Sequence, residues 1–207
     1  GTIIAVIGSG PAGMAAATQL NSAGHNVTIF ERDDEPGGLL RYGIPDFKLE
    51  KWVVERRINL MKEEGVEVKC NANVGVNISI QDLLREYHAI VLAGGSTIPR
   101  DLEIPGRELK GVHFAMDFLK QQNRRVAEKK VKEENILATG KNVVVIGGGD
   151  TGSDCVGTSN RQKALSITQF ELMPMPPKSR TTYMPWPTYP MILKTTSSHE
   201  EGASRGW

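Results

Sequence analysis

The chain has 207 residues, enough for one domain or two small ones, and a formal net charge of +1 at pH 7. This balance provides no global field to attract nucleic acid or an anionic membrane, and no apolar run approaches the roughly 18 residues of a membrane-spanning helix. Two cysteines, Cys70 and Cys155, are too few for a disulfide framework or a metal cluster, so a reducing, cytoplasmic setting is expected.

The first half of the chain predicts alternating strands and helices. Short β-branched runs that end at glycine are typical of buried parallel strands entering tight turns. Gly24 fits the left-handed end of the first helix, Gly65 ends the second, and Ser79 is a candidate cap for the third. The predicted strands are 3–7, 26–31, 66–68 and 89–93, and the predicted helices are 12–23, 50–64 and 80–86.

The second half repeats the beginning of the first. A helix is predicted over 113–135, with a charged stretch that we interpret as a solvated connector. A strand–glycine–helix unit then starts near residue 143, as it does near residue 3, and extends to 172. Prolines after Met173 indicate an irregular segment. The pattern predicts an α/β protein with two Rossmann-like, three-layer domains.

The first glycine turn matches the dinucleotide-binding fingerprint G-x-G-x-x-G. It lies between a predicted strand and a predicted helix, which is the context that the fingerprint requires. Gly8 would permit the tight turn, Gly10 would let a pyrophosphate approach the backbone, and Gly13 would let the helix pack on the strand. Glu31, at the end of the next strand, can accept hydrogen bonds from a ribose hydroxyl. We therefore predict a bound dinucleotide here.

A second fingerprint covers Gly147, Gly148, Gly149, Asp150, Thr151 and Gly152 and predicts another nucleotide-binding turn. Glu171 ends the following strand and favours a free 2′-hydroxyl, hence NADH. Nearby cations could instead clamp the 2′-phosphate of NADPH, although a surface charge is the better interpretation of any one of them: Arg161, Lys163, Lys178 and Arg180. The choice stays open, with a lean to NADH. Two such sites in one chain indicate electron transfer between a nicotinamide and a flavin.

Several long runs resemble one known family. The chain is similar to the FAD–NAD(P)H module of the glutamate synthase small (beta) subunit, which also forms part of fused glutamate synthases. The resemblance extends from residue 8 to about residue 201. It is carried by 8–13, 31–32, 37–45 (GGLLRYGIP), 99–107, 111–119 (GVHFAMDFL), 144–152, 154–159, 170–174 and 185–187. One departure is Gln162-Lys163-Ala164, where the family usually has a glycine that ends the helix.

The resemblance implies site residues by position. FAD pyrophosphate and ribose would contact the first turn and its surroundings, namely Gly8, Gly10, Pro11, Ala12, Gly13, Glu31 and Gly38. Leu39 and Lys48 would lie along the flavin. For Lys48 the alternative is that it is an ordinary surface lysine with no contact to the flavin. Val74 would contact the adenine end, and Ala93, Gly94 and Gly95 would form a crossover close to FAD. NAD(P)H would contact Gly147–Gly152, Glu171 and Arg180.

The resemblance also implies organisation and function. Residues 1–108 would be the amino-terminal half of an FAD-binding domain, and 109–207 a truncated NAD(P)H-binding domain with 109–140 as connector helix. The chain is thus expected to be an internal fragment, with iron–sulfur clusters only outside it. It would pass electrons from NAD(P)H through FAD to an iron–sulfur domain and the large subunit, or fused large region, for L-glutamate formation from L-glutamine and 2-oxoglutarate.

Other chemistry is not expected within the chain. No side chain is expected to act as a catalytic acid or base, none to bind a metal, and His199 is expected to be solvated.

Two alternative functions stay open: a related flavin and iron–sulfur oxidoreductase, of the ferredoxin–NAD(P) or sulfide-linked kind, or a non-catalytic nucleotide-binding remnant. Both cysteines are interpreted as small buried hydrophobes.

Overall fold

Strands and helices alternate along the 207 residues of the computed structural model, which describes the whole chain, and they form two units, 1–112 and 113–207. Every strand pairing within the two sheets is parallel, which confirms the predicted α/β class. No helix combines the length and the apolar character that a bilayer crossing demands.

The first unit contains a four-stranded parallel sheet in the order β3-β2-β1-β4. This order places β1 in the interior of the sheet, between β2 and β4. The elements are β1 (Ile3–Ile7), α1 (Pro11–Ser22), β2 (Asn26–Phe30), α2 (Leu39–Tyr42), α3 (Lys51–Glu63), β3 (Glu67–Lys69), α4 (Ile80–Glu86) and β4 (Ala89–Leu92).

Helices cover both faces of this sheet because its central strands are apolar on both sides. Val6 and Ile29 pack on one face with buried residues of α1 and α3. Their neighbours Ala5 and Phe30 pack on the other face with Leu83 of α4. Successive side chains of a strand point to opposite faces, so a continuous run such as Ile3–Ile7 supplies two cores at once.

The second unit contains a three-stranded parallel sheet in the order β5-β6-β7. Leu119, Val145, Val156 and Ile167 belong to its buried core, which helices and strands share. The elements are α5 (Ala115–Val126), β5 (Asn142–Ile146), α6 (Asp150–Arg161), β6 (Ser166–Phe170), α7 (Ser197–Glu200) and β7 (Ser204–Gly206).

The helix predicted over 113–135 is wrong in its second part, because α5 ends at Val126. Glu128 has φ +55°, and the chain then turns back toward the helix. The side chain of Gln121 fixes the returning segment, donating to the Glu134 carbonyl at 2.9 Å and accepting the Ile136 N–H at 2.9 Å. A buried glutamine therefore holds a loop where the charge pattern predicted a longer helix.

Left-handed residues end the helices that follow the two glycine turns. Gly24 has φ +87° after α1, as predicted, and Lys163 has φ +60° at the corresponding place after α6. Lys163 stands where the resembled family usually has glycine. The turn has the same form in both units, at the cost of a backbone conformation that lysine rarely adopts.

Candidate functional site

The first glycine turn connects β1 to α1 at the carboxyl edge of the sheet. Gly8 has φ +105° and donates its N–H to the Phe30 carbonyl at 2.8 Å. A Cβ on Gly13 would coincide with the Gly8 carbonyl oxygen, so α1 packs against the turn more closely than any other residue would allow. A Cβ on Gly10 would have no atom within 4 Å. The backbone at Gly10 therefore faces open space that a ligand can enter.

The amino terminus of α1 is suited to an anion. Pro11 is the first helical residue, no side chain caps the terminus, and no acidic residue lies in the first turn. The first backbone bond of the helix is donated by Met14 to Gly10, so the N–H groups of Ala12 and Gly13 are not used within it. Such unpaired N–H groups and the positive end of the helix dipole bind phosphates.

Glu31 lies just beyond β2, buried, with its carboxylate directed at the turn. Its Oε2 accepts the Ser9 N–H at 3.1 Å and the Ser9 hydroxyl, and its Oε1 accepts the Asp33 N–H at 2.8 Å. A carboxylate has about four lone-pair positions. One position, on Oε1, is thus available for a ligand hydroxyl.

Ser9 is a functional residue that sequence reasoning missed. Its side chain is fully buried, and its Oγ donates to Glu31 while it accepts the Gly37 N–H at 2.9 Å. One hydroxyl thus holds both the acidic side chain and the loop 36–38 against the turn. The fingerprint leaves this position unspecified, so no sequence signal identified it.

Several other predicted residues converge on the same turn. A Cβ on Gly38, which has φ +54°, would be 2.9 Å from the Gly10 Cα. A Cβ on Gly8 would be 2.4 Å from the Ala93 carbonyl oxygen and 3.2 Å from the Gly94 Cα. The loop after β2 therefore lies against Gly10, and the crossover after β4 lies against Gly8.

The remaining predicted residues of the first unit make contacts within their own segments. Leu39 begins α2 with its side chain exposed. Lys48 is exposed in the loop before α3, and its N–H donates to the Pro45 carbonyl at 3.0 Å. Val74 forms an isolated bridge with Ile78. Their roles toward a flavin and an adenine stay predictions.

The second glycine turn repeats the backbone of the first. Gly147 has φ +108° and donates to the Phe170 carbonyl at 2.8 Å, as Gly8 does to Phe30. A Cβ on Gly152 would be only 2.3 Å from the Gly147 carbonyl oxygen, and a Cβ on Gly149 would have nothing within 4 Å. The same close packing and the same open backbone therefore occur in both units.

The acidic residue of the second turn has a different environment. The Glu171 carboxylate fills the space that a Cβ on Gly148 would take, and its Oε1 is 3.9 Å from the Arg205 guanidinium. Asp150 is an exposed acidic residue in the first turn of α6, and Thr151 beside it is also exposed. The second turn therefore has one more acidic residue than the first, Asp150 at the start of its helix.

A buried hydrogen-bond network connects the carbonyl of Gly147, in the second turn, to side chains of other elements. Gln169 donates its Nε2 to the Gly147 carbonyl at 2.8 Å, and its Oε1 is 2.6 Å from His199 Nε2. His199 Nδ1 is 2.8 Å from the Thr196 hydroxyl, which is 2.7 Å from the Ser153 hydroxyl. The expectation that His199 is solvated is wrong, since only 9% of it is exposed.

Two of the four basic residues considered for a phosphate clamp, Arg161 and Arg180, bind other groups of the chain. Arg161 donates to the two carboxylate oxygens of Glu201 at 2.5 and 2.9 Å. Arg180 donates from Nη1 to the carbonyls of Met184 and Thr188, at 2.8 and 2.7 Å. Both arginines therefore hold local structure.

The two cysteines are free thiols. Burial raises the pKa of Cys155 to about 12, with a contribution from the neighbouring Asp154 carboxylate. Burial also raises the pKa of Cys70, and Glu31 adds to that effect. Both thiols therefore stay protonated near neutral pH. Cys155 belongs to the buried core of the second unit, as expected, whereas Cys70 is only half-buried.

Comparison with known proteins agrees with this duplicated arrangement. Residues 2–180 match the family model described as pyridine nucleotide-disulphide oxidoreductase. Among solved structures, FprA from Mycobacterium tuberculosis in complex with NADPH is similar, with a TM-score of 0.69 and 23% identity; the similarity covers 82% of this chain and 43% of that one. At this identity the likeness concerns the fold.

Curated relatives include glutamate synthases. The chain is 54% identical to a glutamate synthase [NADPH] small chain from M. tuberculosis, over 99% of this chain and 43% of that protein. It is 55% identical to a glutamate synthase [NADH] from Schizosaccharomyces pombe, over 97% of this chain and 10% of that protein. The resemblance predicted from the sequence is confirmed, although the chain spans less than half of these relatives. By its family match and its two glycine turns, the chain belongs to the pyridine nucleotide-disulphide oxidoreductases.

Proposed function

We propose that the first glycine turn binds FAD and that the second binds NAD(P)H. The observation that carries this proposal is the repeated cradle, in which a Cβ is excluded at Gly13 and Gly152 but open space lies above Gly10 and Gly149. Both open positions directly precede the amino terminus of a 12-residue helix. These features fit the pyrophosphate of a dinucleotide.

The side chains of each unit would then bind and orient the nucleotide. In the first unit, the remaining acceptor position of Glu31 suits one ribose hydroxyl, and Ser9 would keep that carboxylate in place. Gly38, Ala93 and Gly94 would border the dinucleotide, and Leu39, Lys48, Val74 and Gly95 stay proposed contacts by their place in the sequence. In the second unit, Gln169 would hold the turn through the Gly147 carbonyl.

In the whole protein this module would serve glutamate synthase. A bound flavin supplies the conversion between two-electron hydride transfer and one-electron transfer. The chain's own residues would position the two nucleotides and exclude water, without a side-chain acid or base. Electrons would continue through iron–sulfur clusters to the large subunit, or to a fused large region, where L-glutamate forms from L-glutamine and 2-oxoglutarate. The high identity to both small chains and a fused enzyme supports this proposal.

A second candidate function is electron transfer to an acceptor other than glutamate synthase. The chain is also 39% identical, over 80% of its length, to a putative oxidoreductase, AegA, from Escherichia coli. The same pair of nucleotide sites could therefore serve another kind of oxidoreductase, with a different electron acceptor. Identification of the subunit that copurifies with the natural protein would distinguish the two. With two free thiols in the chain, we also propose a reducing, cytoplasmic setting.

The test uses the natural full-length protein and two glycine variants. The parent should purify with a flavin absorption spectrum that NAD(P)H bleaches under anaerobic conditions. Gly10→Ala should lose the flavin, because a methyl group would enter the open space where the pyrophosphate approaches. Gly149→Ala should keep the flavin but no longer be bleached by NAD(P)H. Ser22→Ala, an exposed change near the end of α1, should behave like the parent.

Two results would contradict this proposal. The first is a colourless full-length protein that does not take up added FAD. The second is a pair of glycine variants that retain the spectrum and the bleaching of the parent, because the open spaces above the two turns would then hold no nucleotide.

A further inference from the structure

We propose that Arg205 is the residue that lets the second glycine turn accept a 2′-phosphate on the adenosine ribose, through its pairing with Glu171. This inference rests on the dinucleotide site proposed above for that turn. It assigns a selectivity role to a residue of β7, which lies far along the chain from the fingerprint.

Glu171 is placed where the ribose would be recognised. It directly follows β6, its N–H donates to the Gly206 carbonyl at 2.9 Å, and its carboxylate lies against Gly148. In Rossmann-like turns, the acidic residue at this strand end accepts hydrogen bonds from the ribose hydroxyls. A phosphate on the 2′ oxygen would instead bring a second negative charge to this carboxylate.

The two turns of the chain hold this carboxylate in different ways. In the first turn, Ser9 donates twice to Glu31, and Asp33 donates once. In the second turn, the position of Ser9 is taken by Gly148, which has no hydroxyl, and the Glu171 carboxylate accepts no side-chain or backbone hydrogen bond. Its charged neighbour is Arg205, at 3.9 Å. Glu171 is therefore held by an ion pair, which a competing phosphate can exchange.

Arg205 has the features of a phosphate-binding residue. Its guanidinium stacks over Trp207 at 4.7 Å, and Nη1 donates to the Lys194 carbonyl at 2.9 Å, so the side chain is fixed in place. Its Nε is buried and has no hydrogen-bond partner. A guanidinium presents several N–H donors in one plane, and these can bind two oxygens of a phosphate at once, whereas a carbonyl offers only one oxygen.

Three other charged residues are less suited to this role than Arg205. Asp150 would repel a phosphate from the first turn of α6. Arg161 is committed to Glu201, and Arg180 to carbonyl groups of its own loop. Arg205 is thus the cation that the structure places against Glu171, and its charge would offset the repulsion between that carboxylate and a 2′-phosphate.

The test compares two nucleotides that differ only at the 2′ oxygen. Isothermal titration would measure the Kd of adenosine 5′-diphosphate and of adenosine 2′,5′-diphosphate for the natural full-length protein. Arg205→Gln should weaken the 2′-phosphorylated nucleotide about tenfold or more, the value of one charge-assisted hydrogen bond, and change the other nucleotide less than about threefold. Arg205→Lys should recover part of the loss, and Glu171→Gln should strengthen the 2′-phosphorylated nucleotide.

Arg85→Gln provides the matched control, because Arg85 is an exposed arginine of the first unit that pairs with Asp82. It removes the same charge without reaching the turn, so it should leave the Kd ratio unchanged. If Arg205→Gln and Arg85→Gln give the same Kd ratio while the parent binds both nucleotides, this inference is wrong and the proposed site survives. If the parent binds neither nucleotide, the proposed site and this inference both fail.

Discussion

Replacing Ser9 by alanine removes a hydroxyl that has two roles in the first unit. The hydroxyl donates to the buried Glu31 carboxylate and accepts the Gly37 N–H at 2.9 Å. Alanine fits the same backbone, but it removes one of the three hydrogen bonds that Glu31 accepts and leaves the Gly37 N–H without its acceptor in a fully buried site. The change thus tests the hydrogen bonds of the turn without altering its glycines.

The expected loss of stability follows from those two contacts. A hydrogen bond to a charged group contributes about 1.5–3 kcal/mol, and a buried N–H left without an acceptor costs about 1–3 kcal/mol. The two effects overlap because both groups can shift toward each other or toward water. We therefore expect Ser9→Ala to lower the free energy of unfolding of the first unit by about 2–4 kcal/mol.

Urea denaturation in the absence of nucleotide, followed by circular dichroism, measures this difference from the midpoint of the transition. Ser22→Ala serves as the control, since a change of an exposed residue at the end of α1 should stay within about 0.5 kcal/mol. A loss at Ser9 no larger than that of the control would refute the role given to its hydroxyl.

Three further expectations concern packing, the second network and the buried thiol. In thermal melts of flavin-free protein, Gly13→Ala should destabilise the fold by about 1–3 kcal/mol, because its methyl would meet a backbone carbonyl, whereas Gly10→Ala should stay near zero; equal effects would contradict the packing described for α1. Gln169→Leu should cost about 2–4 kcal/mol in urea denaturation, because it leaves the turn carbonyl and His199 without their partner; a change below about 0.5 kcal/mol would argue against the network. At pH 9, Cys155 in the folded protein should resist iodoacetamide, as followed by mass spectrometry, and react once the protein is unfolded in urea; equal rates would exclude a buried thiol. Its raised pKa also contributes stability that is complete below its ordinary value of 9.0 and is lost as pH rises toward about 12.

Patterns within a few residues predicted most of the fold. Apolar runs that end at glycine predicted β1, β4 and β5, because a parallel strand buried on both faces needs such a run and the turn after it needs a positive φ. The runs that predicted β2 and β6 are followed instead by an acidic residue, Glu31 and Glu171. Ser79 was predicted to cap α4, and its hydroxyl does accept the Asp82 N–H, at 3.3 Å. Segments as short as α2, α7 and β7 have three or four residues, too few for any periodicity to appear.

The parts that escaped prediction depend on partners far away in the sequence. The length of α5 is decided by Gln121, whose amide binds a segment that returns from residue 134. His199 is buried because Gln169, on a different element, offers it a hydrogen-bond acceptor. Arg205 reaches Glu171 only because β7 pairs with β6. No local pattern contains these pairings, which arise when the sheet assembles.

The difference between Ser9 and Gly148 has a consequence for the way such motifs are compared. Both residues occupy the first variable position of G-x-G-x-x-G, which searches treat as a wildcard. In this chain that position separates a carboxylate locked by hydroxyl and amide donors from one balanced by a guanidinium. Chains with two fingerprints can therefore be compared by the residue at this position. That residue indicates how firmly the acidic side chain at the strand end is held, which the three glycines do not indicate.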